Sequence, residues 1–375
     1  MPLPSPSRSP GPHDPTTLLT AIPAALGFVP ERSIIVIAFT ADRSITATMR
    51  HDLALHPDGT PTRELSAVLA GLADITESYG TEEVVAVIAD DRHPADDPRY
   101  RRILAMADRH FSALGGVAAG FGIGEFVAGA PWTVTWCPDG RAWAVDVTPE
   151  ACGLLDDPHT CAAAVAEMVR SGRRILLRRS EIRAMLDPVE GECGPGRPGP
   201  GCAGCIVPQR VTAAGRDDAS DSDDPGVSAL ALDLVIDSVV DANLPLDCAT
   251  VARLQEAIVR LDVRDAAMAL AVTAFREHAE RVWRELTRRL TGRGRASAAT
   301  LLAHLHYIGG EGVYAGAALD VAIECDPDAA MANLLDTALR NGVRPSRLWD
   351  MIDTSYAVAA RLGVSIPAVT LRAAG

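Results

Sequence analysis

Cys193, Cys202 and Cys205 fall within thirteen residues of a stretch rich in Gly and Pro. A C-x-x-C pair clasps Zn²⁺ through two thiolates, and a third Cys strengthens such a site. The fourth ligand is absent locally, so Cys152, Cys161 or His159 would have to supply it. A zinc knuckle needs a second pair at regular spacing. Incidental thiols therefore stand as the alternative to metal. A thioredoxin-type centre needs its C-x-x-C at a strand-to-helix junction, whereas this one falls in a loop. A second constellation rests on position. In open α/β sheets, ligands sit beyond the carboxyl ends of strands. Residues 33–39 and 84–89 are continuous apolar runs of the kind that form strands buried on both faces. Thr40 and Asp42 follow the first, and Asp90, Asp91 and His93 follow the second. Carboxylates with an imidazole would serve acid/base catalysis or hold Mg²⁺. The plainer alternative is that Asp90 and Asp91 solvate a turn before Pro94.

Other candidates carry less. His278-Ala279-Glu280 reverses the order that zinc deaminases require. His304 and His306 stand two apart on an expected helix and so point to different faces, which favours packing over a shared metal. His51 and His56 offer no better ligand pattern, and the acidic run from Asp217 to Asp224 lacks calcium-loop spacing. No G-x-S-x-G, H-E-x-x-H or complete G-x-G-x-x-G occurs. Gly120, Gly122 and Gly124 alternate as in a bent strand rather than a phosphate turn. Trp132 and Trp136 share a strand face by simple alternation, as core or as pocket wall.

All 35 basic residues are Arg. Without Lys, a P-loop, a protein-kinase site and a pyridoxal phosphate Schiff base are excluded. The net charge of −14 opposes broad nucleic-acid binding. The seven Arg between residues 276 and 295 lack a stacking platform and fit a solvated helix face.

The elements that must position these residues fall into two parts. The 375-residue length suggests two domains. Residues 1–14 are expected to be a disordered Pro-rich tail, with neither signal peptide nor transit helix. Residues 15–187 alternate strand and helix and predict an α/β domain, a mixed or parallel sheet flanked by helices. Helices are expected over 18–26, ended by Gly27, and over 63–79. A further helix opens with Asp97 as N-cap and Pro98 at its first position. Shorter strands are expected near 117–126, 132–136 and 142–147, then helices over 161–170 and 179–186. Residues 188–227 are dominated by Gly, Pro and Asp and predict a flexible linker. Residues 228–375 predict an all-helical domain, with periodic segments over 228–241, 247–261, 264–290, 297–308, 312–325 and 328–341. Asp262 with Asp265 has capping-box spacing. Leu302, Ala315, Leu319, Ala322 and Pro327 fit one tetratricopeptide repeat, although Ala299, Ala303 and His306 replace its Trp, Gly and Tyr. An ordinary helix hairpin is the alternative. No run of 18 uncharged apolar residues occurs, so no membrane partner is expected, and the compartment is expected to be cytoplasmic with reduced Cys.

The opening box Ile22-Pro23-Ala24-Ala25-Leu26-Gly27-Phe28-Val29-Pro30-Glu31-Arg32-Ser33 resembles the start of an actinobacterial family, domain of unknown function 4192. Gly172-Arg173, Arg179-Ser180-Glu181 and Val263-Arg264-Asp265-Ala266 agree with it. So do Leu301 through Ala322, Asp326-Pro327, Met331-Ala332, Leu334-Leu335 and Gly342. The resemblance spans about residues 15–350 outside the linker. It implies no activity and hence no catalytic residue. Of the family's Cys-rich central box, Cys137-Pro138-Asp139-Gly140 stands here.

The function expected first is a cytoplasmic, non-enzymatic module whose helical half binds a protein partner. An enzyme acting on a small polar or nucleotide-like ligand at the strand ends is the alternative. A metal-binding protein that uses the linker Cys is the second.

Overall fold

The computed structural model describes residues 13–138, 142–188 and 224–370. The proposed Zn ligands Cys193, Cys202 and Cys205, and most of the expected tail and linker, lie outside them. The chain divides between Glu181 and Ile182 into two compact units.

The first unit carries α1 (Pro15–Thr20), α2 (Ile22–Leu26), β1 (Ser33–Phe39), β2 (Ile45–Asp52), α3 (Arg63–Ser78) and β3 (Glu83–Ala89). It continues with α4 (Pro98–His110), β4 (Val117–Ile123), β5 (Pro131–Trp136), β6 (Cys152–Leu154), α5 (Ala162–Ser171) and the start of α6 (Arg179–Ala184). Local chemistry sets these boundaries. Gly27 ends α2 at φ +80°, a left-handed position that glycine adopts without strain. The Asp97 carboxylate accepts from the Arg99 N–H, and Pro98 opens α4 with its φ already helical.

The strands form one six-stranded mixed sheet in the order β2-β1-β3-β4-β5-β6. The five-residue link from β1 to β2 forces an antiparallel pair, while the helical crossover through α4 makes β3 and β4 parallel. β3 reaches the far side of β1 through α3 and runs antiparallel to it. One sheet face holds Ile34, Val36, Val84, Ala86 and Ile88 against Leu65, Leu69, Ile103, Leu104 and Phe111 of the α3–α4 layer. Ile35, Ile37, Val85 and Val87 alternate to the other face and are equally buried.

Two expectations about strands change. Residues 142–147 make only a single bridge, His13 to Val145. The buried Glu83 carboxylate accepts the Trp143 and Ala144 N–H groups, which removes them from any ladder. Trp132 and Trp136 do not share a face, because a bulge beside Gly120 shifts the register of β5. Trp132 packs edge-on to Phe121 and donates to Thr16, whereas Trp136 joins the α3–α4 side and donates to the Val117 carbonyl. Gly120 and Gly122 lie in β4 where Leu104 and the Ala95 carbonyl press on it, so the alternating glycines make room for the layer above.

The second unit is helical: α7 (Pro225–Asp241), α8 (Cys248–Ile258), α9 (Leu261–Ala267), α10 (Arg276–Arg289), α11 (Gly292–Ile308), α12 (Gly312–Cys325), α13 (Ala330–Arg340) and α14 (Trp349–Arg361). The helix expected over 264–290 is broken. A 3-10 turn follows α9, and the Thr273 hydroxyl bonds the Leu270 carbonyl and accepts the Phe275 N–H, drawing the backbone out of the helix. The expected capping box does not form. Arg260 is the N-cap of α9, Asp262 accepts from Val263, and Asp265 pairs with Arg264. α11 is buried around its whole girth, including His304 and His306. It packs closely on α12, with Ala299, Leu302, Ala315, Leu319 and Ala322 all in the core.

Candidate functional site

Because β1 and β3 are antiparallel, their carboxyl ends lie at opposite ends of the sheet, about 20 Å apart for seven-residue strands. Thr40 and Asp42 therefore do not meet Asp90, Asp91 and His93. They close a hairpin turn instead. The Thr40 hydroxyl donates to Asp42 at 2.5 Å, and Asp42 also accepts the Ser44 N–H and hydroxyl. The Thr40 hydrogen bond, with those from Ser44, holds the Asp42 carboxyl below the ordinary carboxylate range.

At the other end of the sheet the start of β1, the end of β2 and the end of β3 converge, since Ser33 pairs with both Asp52 and Ala89. Arg32 sits there at φ +45°, an uncommon position for a residue with a Cβ. Its guanidinium grips both Asp91 oxygens, at 2.8 and 3.1 Å. Arg92 grips fully buried Asp90 in the same two-pronged way, at 2.6 and 3.1 Å. The Arg32 hydrogen bond is the main reason the Asp91 carboxyl is held below its usual range. His93 sits 2.5 Å from an Arg99 nitrogen, and Arg99 also binds Asp97. The expected acid/base or Mg²⁺ group is thus a set of ion pairs in which each Asp already faces a guanidinium. A cation would have to displace arginine there. The described residues contain no group of three His, Cys, Asp or Glu side chains that could hold a metal ion.

Beside these pairs lies an open cleft of about 420 Å³, lined by Arg32, Arg50, Arg92, Arg178 and Arg179 with Glu31 and Asp52. Phe28, Val29 and Leu53 form its apolar wall, and Ser180 adds a hydroxyl. Arg50 forms the base. Its Nε donates to the Ser33 hydroxyl at 2.8 Å, it pairs with Asp52 at 2.5 Å, and it lies over the Phe28 ring at 5.8 Å. Burial holds the Arg50 guanidinium below its ordinary value, and nearby Arg179 adds to that against the pull of Asp52. Arg178 approaches Glu31 only to 3.8 Å. Arg179, exposed at the start of α6, has no carboxylate within ion-pair range among the described residues.

Sequence spacing did not single out these arginines as a site. The available signal was indirect, because Phe28 to Ser33 and Arg179-Ser180 are the segments that carried the family resemblance, and here they line one cleft.

A mixed-sheet α/β unit bearing an arginine-lined cleft, followed by a helical unit, is the class of protein this architecture defines. The chain belongs to the family described as domain of unknown function (DUF4192), whose model matches residues 15–346. No curated protein and no solved structure matches it. No helix among the described residues is long and apolar enough to cross a membrane.

Proposed function

We propose that the first unit binds a small anionic ligand in the cleft at the start of β1. One observation carries the reading. Five arginines line one cleft and outnumber the four carboxylates around them, Glu31, Asp52, Asp90 and Asp91, in a chain whose net charge is −14. A local reversal of sign against the overall charge concentrates anions. The cleft volume falls within the 300–1,000 Å³ range common for small-molecule sites. The reading keeps the expectation of a polar ligand near Asp90 and Asp91, but turns those residues from ligands into supports for Arg92 and Arg32. The test is calorimetric titration of the full chain with small carboxylates and phosphates at two ionic strengths. Saturable binding that weakens with salt supports the proposal, and its absence for every anion removes it.

A second reading gives the helical unit a protein partner. It is favoured by a 230 Å³ hollow where exposed Val259 and Leu261 sit among Arg264, Arg293, Asp326 and Asp328. Leu261→Arg would abolish binding of such a partner without lowering the melting temperature. A partner that binds the variant equally well counts against it.

A further inference from the structure

The cleft's own donors narrow the chemistry of its ligand. Arg32 and Arg92 are each committed to both oxygens of one aspartate. Arg50 is occupied by Ser33, Asp52 and the Glu31 carbonyl, and has 13% of its side chain exposed. Arg178 and Arg179 keep their donors, because the first reaches Glu31 only at 3.8 Å and the second has no acidic partner among the described residues. A guanidinium presents five N–H groups in a fixed fork. With Asp91 and Asp90 neutralising Arg32 and Arg92, and Glu31 and Asp52 set against the rest, the cleft keeps a surplus of one positive charge and two nearly unused forks. A carboxylate brings one charge and two oxygens. A phosphoryl group brings about −1.5 to −2 charge at neutral pH and three strong acceptor oxygens. With two open forks to satisfy, the phosphoryl group is the closer match in acceptor number. In a chain without lysine, the cationic side chains that can meet a phosphate at neutral pH are these planar forks. The space far exceeds one phosphate, and on its apolar side Val29 is partly exposed beside buried Phe28 and Leu53.

Resting on the anionic-ligand reading, we propose that the cleft takes a phosphomonoester of a small organic molecule. Its phosphoryl group sits against Arg179 and Arg178 over the Arg50 base, and its organic part lies toward the partly exposed Val29 on the cleft's apolar side. The two facing guanidiniums Arg50 and Arg179 repel one another in the empty cleft, and a dianion shared between them removes that repulsion.

The experiment titrates the full chain with phenyl phosphate, inorganic phosphate and benzoate at pH 7.5. Phenyl phosphate is expected to bind at least tenfold tighter than benzoate and more tightly than inorganic phosphate. Its affinity should fall at least fivefold at pH 5.0, where it carries a single charge. Arg179→Ala should weaken phenyl phosphate at least tenfold with an unchanged melting temperature, and Arg179→Lys should recover only part of the loss. Arg101→Ala, an exposed arginine on α4, should bind as the parent does. Benzoate binding as tightly as phenyl phosphate overturns the phosphoryl assignment and leaves the anionic-ligand reading standing. Failure of all three probes overturns both. Undiminished binding by Arg179→Ala overturns the placement at Arg179.

Discussion

His304 is fully buried on α11 and neither ring nitrogen has a hydrogen-bond partner. Burial alone pushes its imidazolium down from 6.5 to about 4. Above pH 6.5 the ring is neutral in both folded and unfolded chains, so it confers no pH dependence. Between pH 6.5 and 4 the unfolded chain takes a proton that the folded chain refuses, and stability falls as pH falls. The shift corresponds to about 3 kcal/mol over that window. Carboxylates also titrate in acid, so the clean measurement is a difference. Urea denaturation of the parent and of His304→Leu, followed by the helical signal at pH 7.5 and 4.5, isolates the imidazole. The variant should gain about 2–3 kcal/mol on the parent between the two pH values. It should already gain about 1–3 kcal/mol at pH 7.5, because two desolvated nitrogens without partners disappear. Parallel stability curves for the two proteins would refute the reasoning, since they would mean that the ring is solvated or bonded in the fold.

Gly122→Ala should destabilise the first unit by about 3 kcal/mol or prevent its folding. A Cβ there collides with the Ala95 carbonyl oxygen, whereas Gly124→Ala meets open space and should change the urea midpoint little. Arg92→Ala strands the fully buried Asp90 carboxylate and should lose about 3–5 kcal/mol in the same assay at pH 7. Asp247→Ala removes the N-cap acceptor of the Thr250 N–H and hydroxyl and should lower stability by about 1 kcal/mol. Leu319→Ala, fully buried between α11 and its neighbours, should lose about 2–5 kcal/mol.

Element type was legible wherever one periodicity ran uninterrupted between firm stops. Residues 33–39 and 312–325 are bounded as expected, because Pro30 and Gly312 punctuate clean apolar patterns. Strand direction was not legible. An apolar run reads alike in either sense, so nothing in residues 33–39 and 84–89 announces that they oppose one another. That reversal separated Thr40 and Asp42 from Asp90, Asp91 and His93. The arginine cleft escaped for a related reason: Arg32 and Asp91 lie 59 positions apart and meet only through the sheet register. The bulge that splits Trp132 from Trp136 also leaves no mark in an alternating pattern. α14, outside the periodic segments marked in the sequence, buries only Ile352, Ser355, Val358 and Ala359.

The path through α3 has a consequence for how the chain reaches this state. β1 finds β2 across a short local turn, but its other partner begins at residue 83, after a helix of 16 residues. During synthesis a finished hairpin would wait with one row of amide and carbonyl groups open on SIIVIAF, a segment without a single charge or proline. Intermolecular strand addition competes with α3's passage for that edge. The hazard belongs to the hours of expression and refolding rather than to the finished molecule, in which the same segment is wholly enclosed.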